Sequence, residues 1–133
     1  MKAEENPLRT ASGLARAGKL REAIACLEEA LARSRASAPR PANTSALAKT
    51  AGLLCDQDGD LSKAASYYGE AIATEGPEPL TLVALADVYF RLGRVREATE
   101  CQERAESLAQ SSGNEDAQAV VAAARAKWRG GNG

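Results

Sequence analysis

Side chains able to do chemistry are few in this 133-residue chain, and their spacing argues against most catalysis. There is no histidine, which removes serine or cysteine triads with an imidazole base and histidine-ligated zinc. Cys26, Cys55 and Cys101 are widely spaced, each lies within an apolar helical pattern, and none forms a Cys-x-x-Cys pair. They read as small core hydrophobes in a reducing compartment. Asp56-Gln57-Asp58-Gly59-Asp60 matches the opening of a calcium loop, but Leu61 stands where that loop needs glycine and Tyr67 where it needs glutamate. A turn followed by a helix cap explains the stretch better. No Gly-x-Gly-x-x-Gly and no Gly-Lys-Ser/Thr loop is present to cradle a phosphate. The Glu28-Glu29 pair has basic neighbours and reads as a solvated helix surface rather than an acid-base site. What remains is recognition chemistry: arginines, and the chain's single phenylalanine, Phe90, and single tryptophan, Trp128.

Seventeen basic against eighteen acidic residues give a formal charge of −1, so the chain lacks the basic excess that counterion release on nucleic acid requires. The amino terminus carries no apolar secretory stretch, and no run approaches the roughly 18 apolar residues of a membrane span. The expectation is a cytoplasmic protein with no nucleic acid, membrane or cofactor among its partners. The length suits one domain over residues 1–133.

The elements that must position these side chains are helices. Apolar residues recur at helical spacing almost throughout, and strand-type alternation is sustained nowhere. Seven segments are expected. Asn6-Pro7 opens a helix ending near Ala17, and a second runs from about Lys19 to Arg35. The Arg33 to Arg40 stretch, with three arginines among Ser, Ala and Pro, reads as an extended connection and a weak candidate for docking acidic surfaces. Asn43 or Thr44 caps a third helix ending before Gly59, and Asp60 caps a fourth reaching Glu75. Helices from Pro79 to Leu92 and to about Ser111 follow, and Asn114 opens a seventh that fades at Arg129-Gly130-Gly131.

The segments repeat. Leu14 to Ala23, Cys55 to Ala64 and Tyr89 to Ala98 each run large or apolar residue, three residues, glycine, polar, aliphatic, two polar, alanine. The turn glycines Gly18, Gly59 and Gly93 stand 41 and 34 residues apart, and Ala30, Ala71 and Ala105 each follow the last alanine by seven. Small residues at Ala11, Gly52 and Ala86 let paired helices approach closely, while Leu27, Tyr68 and Leu85 fill the spaces between. One such pair cannot bury its apolar faces alone, but a stack of three with a lid can.

This pattern resembles the tetratricopeptide repeat over roughly residues 5 to 111. The third unit matches at Leu82, Leu85, Ala86, Tyr89, Gly93, Ala98 and Ala105; Gln102 is polar where the pattern wants an aromatic. The resemblance implies an all-α α-solenoid, a right-handed superhelix of three antiparallel helix pairs with a C-terminal capping helix. The repeats would span about 4–37, 45–78 and 79–112. The last helix, about 114–129, is either a lid or the first helix of an interrupted fourth repeat. By the same resemblance the first helix of each pair lines a concave groove, where Lys49, Leu53, Asp87, Phe90, Arg91, Arg125, Trp128 and Arg129 would meet a partner peptide. Arg125, Trp128 and Arg129 join this set if Gly131 is aligned with Gly93. Arginines and rings suit a peptide offering acidic or aromatic side chains; the alternative packs Trp128 onto the last repeat and leaves the arginines solvated. Leu8, Ser12, Thr50, Leu80 and Ala84 occupy the positions of the chaperone clamp, so binding to the acidic tails of heat-shock chaperones is not expected. The implied activity is non-catalytic protein binding by a monomer or weak homo-oligomer. The alternative is a self-associating assembly subunit, or an excised piece of a larger regulator.

Overall fold

The computed structural model describes residues 6–37 and 43–132, with side chains as far as Lys127. Among the described residues every regular element is an α-helix: α1 (Pro7–Arg16), α2 (Leu20–Ala36), α3 (Thr44–Asp58), α4 (Leu61–Glu75), α5 (Pro79–Arg91), α6 (Val95–Ser112) and α7 (Glu115–Asn132). Consecutive helices pack in adjacent pairs, the arrangement of an all-α solenoid. Helices α1 to α4 form one compact unit and α5 to α7 a second.

In the first unit, Asn6 caps α1 by accepting the Leu8 amide at 2.9 Å, and Pro7 supplies a first-turn residue with no amide left to satisfy. Asn43 stands at the N-cap of α3, yet its side chain makes no capping bond. Asp60 does cap α4, accepting the Lys63 amide at 3.2 Å. Gly59 adopts φ +87°, a left-handed value that costs glycine nothing, and this lets the Asp60 amide reach back to the Cys55 carbonyl at 2.9 Å. Gly18 and Gly93 adopt the same corner, closed by Lys19 to Leu14 and Arg94 to Tyr89, both at 2.8 Å. The repeat in sequence is therefore a repeat in backbone geometry.

The core of this unit is made of Ala11, Ala23, Leu27, Leu31, Leu47, Ala48, Ala51, Cys55 and Ala64, each at most 1 % exposed. Helix α1 packs on α2, α2 on α3 and α3 on α4, and α1 also touches α3. The expected close approach is realised at Gly52: a Cβ there would lie 2.9 Å from Cδ1 and Cε1 of Tyr68. Polar bridges tie α2 to α4 across this packing. Glu28 accepts the Tyr67 hydroxyl at 2.5 Å and the Lys63 ammonium at 3.0 Å, and Arg35 makes a two-pronged contact with Glu70 at 2.8 and 2.5 Å. Glu28 is thus not the merely solvated carboxylate expected. Arg33 and Arg35 are likewise engaged, by Glu29 and Glu70, while Arg40 lies outside the described residues.

In the second unit α5 packs on α6, and α7 packs on both. Leu82, Ala86, Val88, Ala98 and Ala105 are fully buried. Asn114 caps α7 by accepting the Ala117 amide at 3.0 Å. The helix continues through Gly130 and Gly131 to Asn132 instead of fading at Arg129. At the position where the repeat calls for an aromatic, Gln102 is 2 % exposed and its Nε2 donates at 3.0 Å both to the Val121 carbonyl of α7 and to Glu106. Beside it Arg125 grips Glu106 with two donors, Nη2 at 2.6 Å and Nε closer still.

Candidate functional site

The residues singled out for recognition lie on first helices of pairs, so the geometry to describe is how those helices stand within each unit. In the first unit α1 and α3 touch directly; Leu8, Ser12 and Ala15 belong to one, and Ala46, Lys49 and Leu53 to the other. Leu53 is 48 % exposed, a large apolar side chain left in water, and Lys49 is half-buried.

In the second unit α5 and α7 touch in the same manner. Here Asp87 is held between two cations: Arg91, one turn on in α5, at 2.9 Å, and Lys127 of α7 at 3.5 Å. Phe90 lies beside Arg91 on α5 and is half-buried. Asp87 thus pairs with two cations, and Phe90 follows it by three residues on the same side of α5. Lys127 was not anticipated. Its signal was available, since it lies one residue from the position chosen.

That one residue is the reason for a correction. Aligning Gly131 with Gly93 puts Arg125 among the groove residues, but Arg125 turns to Glu106 of α6 and not to the face of Arg91 and Lys127. The carboxylate contact also raises the Arg125 pKa. Aligning Gly130 with Gly93 instead sets Arg125 opposite Val88 and Leu54, both buried, and Lys127 opposite Phe90 and Asp56. A slip of one residue turns a helix by about 100°, which carries a side chain from one face to another. The side chains of Trp128 and Arg129 lie outside the described residues.

Among the described residues no group of three or more cysteine or acidic side chains converges on a metal position. The strongest pKa perturbations have packing causes. Burial pushes the Cys55 thiol up to about 11 and raises Cys101, and burial plus the bond to Glu28 raises the Tyr67 phenol. The Tyr67 hydroxyl holds Glu28 below the usual carboxylate value, aided by Lys63.

The helix pairs, their glycine corners and their small-residue contacts agree with comparison against known proteins. A tetratricopeptide repeat profile matches residues 8–74, and a second matches residues 81–112. The chain belongs to the tetratricopeptide repeat family. Its repeats generally mediate protein–protein interaction. A tetratricopeptide repeat protein from Parabacteroides merdae shares the fold with a TM-score of 0.69 and 18 % identity, over 86 % of this chain and 44 % of that one. The chain therefore spans less than half the length of that relative. No curated protein matches. Helix α7 lies beyond both matched segments. None of the described helices is long and apolar enough to cross a membrane.

Proposed function

We propose that this tetratricopeptide repeat chain is a non-catalytic interaction module whose first-helix faces capture an extended peptide segment carrying acidic and aromatic side chains. The observation that carries the reading is Asp87 bracketed by Arg91 and Lys127, with half-buried Phe90 three residues on in α5. A carboxylate on the peptide can exchange into that cluster and take an Arg91 fork, while the ring offers anchoring area. In the first unit Lys49 and exposed Leu53 supply a cation and an apolar contact. Preformed helices limit the ordering cost of capture. The buried thiols of Cys55 and Cys101, in no disulfide, suit a reducing location, for which the cytoplasm is proposed.

The test is fluorescence anisotropy with an array of short peptides pairing Asp or Glu with Phe or Trp. Arg91→Glu and Lys127→Glu are each expected to weaken the best binder about tenfold, roughly 1.4 kcal/mol. Capture that neither changes would remove the proposal.

A further inference from the structure

Among the described residues, a carboxyl group one methylene from the main chain stands directly before a glycine at one place, Asp58-Gly59. Attack of the Gly59 nitrogen on Asp58 Cγ closes a five-membered ring there, and glycine has no Cβ to hinder the attacking atom. Glu75-Gly76 is the nearest analogue, but its longer side chain would close a six-membered ring, which forms far more slowly. The other two hairpin corners put Ala17 before Gly18 and Leu92 before Gly93, and neither side chain can react.

Little holds this corner shut. Asp58 ends α3, and Gly59 follows it at φ +87°. Two main-chain bonds close the turn: the Gly59 amide donates to the Asp56 carbonyl at 3.0 Å and the Asp60 amide to the Cys55 carbonyl at 2.9 Å. Asp58, Gly59 and Asp60 are all exposed, and nothing lies within 4 Å of the place a Gly59 Cβ would take. The Asp58 carboxylate meets Arg21 at 3.7 Å, a surface ion pair that contributes little. Exposed main-chain bonds without apolar packing around them open locally, short of global unfolding.

The closed corner resists the reaction. Its Gly59 proton is held by the Asp56 carbonyl, whereas attack needs the nitrogen to lose that proton, and Asp58 must leave its helical backbone angles to bring Cγ onto the next nitrogen. Opening lifts both constraints. The Gly59 nitrogen then bonds to Cγ of the protonated Asp58 carboxyl, whose hydroxyl departs as water with the former amide hydrogen. The cyclic imide takes one water back, and the nitrogen regains its hydrogen. If the new Cγ–N bond breaks, aspartate returns. If the original C–N bond breaks, isoaspartate remains, with the chain running through Cβ and Cγ and the α-carboxylate free.

We propose that Asp58-Gly59 is a self-modification site, where local opening of the α3–α4 corner lets aspartate convert to isoaspartate through a cyclic imide, and that the product cannot rebuild the corner. Isoaspartate puts one extra carbon between the Asp58 Cα and the Gly59 nitrogen. That carbon enters the loop closed by the 2.9 Å bond from the Asp60 amide to the Cys55 carbonyl, a loop shaped around Gly59 at φ +87°. The Asp60 cap on the Lys63 amide follows directly and loses its fixed start. The site lies in the first unit and does not depend on the peptide reading.

The test compares the full chain, native and unfolded in guanidinium chloride, with a peptide of residues 56–64, which is too short to hold a helix. Isoaspartate at position 58 is read by proteolytic mapping with electron-transfer fragmentation, which separates it from reaction at Asn132-Gly133. The unfolded chain is expected to convert at the peptide's rate, and the native chain measurably but at least about tenfold more slowly. Below the unfolding transition the native rate should change little with denaturant, since local opening exposes little surface. Conversion absent at 58 in either state, or native conversion closer than about tenfold to the peptide's, overturns the proposal. So does a native rate that climbs with the full unfolding m-value, because the reaction then belongs to the unfolded chain. Asp58→Ala should fold as the parent does by circular dichroism, since Ala17 holds the same place in the first corner. After equal ageing in guanidinium chloride and refolding, the parent should show a lower-melting fraction equal to its isoaspartate content, and Asp58→Ala should not. Identical melts would overturn the claim that the product cannot rebuild the corner.

Discussion

Gly52→Ala sets two opposed terms against each other at one atom. Alanine favours a helix interior over glycine by about 1 kcal/mol. Against this, the added Cβ would meet Tyr68 at 2.9 Å from Cδ1, 2.9 Å from Cε1 and 3.2 Å from Cγ. Three close carbons of one ring, one of them bound to Cβ, cannot be relieved by a swing of the phenol tip, and Tyr68 is only 5 % exposed. Overpacking of this kind costs about 1–3 kcal/mol, so a net loss of about 1 kcal/mol is expected. With a urea m-value of about 2 kcal/mol/M, the midpoint followed at 222 nm falls by about 0.5 M. Gly69→Ala on α4 isolates the propensity term, because nothing lies within 4 Å of its added Cβ. It should raise the midpoint by about 0.3–0.5 M. In a Tyr68→Leu background the clash is relieved and Gly52→Ala should change sign, becoming stabilising. A Gly52→Ala midpoint that rises with that of Gly69→Ala in the parent chain would refute close α3–α4 contact at this point.

Three further outcomes follow from the side-chain contacts. The Glu28 carboxyl titrates below its unfolded value, so its contribution is complete above the unfolded pKa of about 4.3 and is lost as pH falls through the folded value. The stability difference between the parent and Glu28→Gln, measured by urea melts, should therefore narrow between about pH 5 and pH 3. Tyr67→Phe removes the hydroxyl that Glu28 accepts and should cost about 1 kcal/mol in the same assay at neutral pH. In thiol titration with a chromogenic disulfide at pH 8, half-buried Cys26 should react first, and Cys55 and Cys101 only on unfolding, since both are buried with raised pKa values.

Much of the fold was legible because its instructions are local and repeated. Gly18, Gly59 and Gly93 mark corners that only a positive φ can make, and the small residues Ala11, Gly52 and Ala86 stand at fixed distances before them. Helix α7 was harder to read. Its alanines show no size contrast from face to face, and its adjacent glycines offer two alignments with Gly93, so its register slipped by one residue and Arg125 with it. The bonds of Glu28 to Lys63 and Tyr67 join residues 35 and 39 apart, and no helical periodicity announces a partner in another helix. Gln102 looked like a defect in the repeat, whereas its amide reaches a main-chain carbonyl that an aromatic ring could not bond.

The hairpin corners are closed by main-chain atoms, Lys19 to Leu14, Asp60 to Cys55 and Arg94 to Tyr89, around a single glycine each. Such a joint is a standard part. It asks nothing of the residues it connects beyond one glycine, so hairpins can be duplicated, deleted or recombined between genes without redesign of the bend. Selection is left free to work on the helix faces, where partners are chosen.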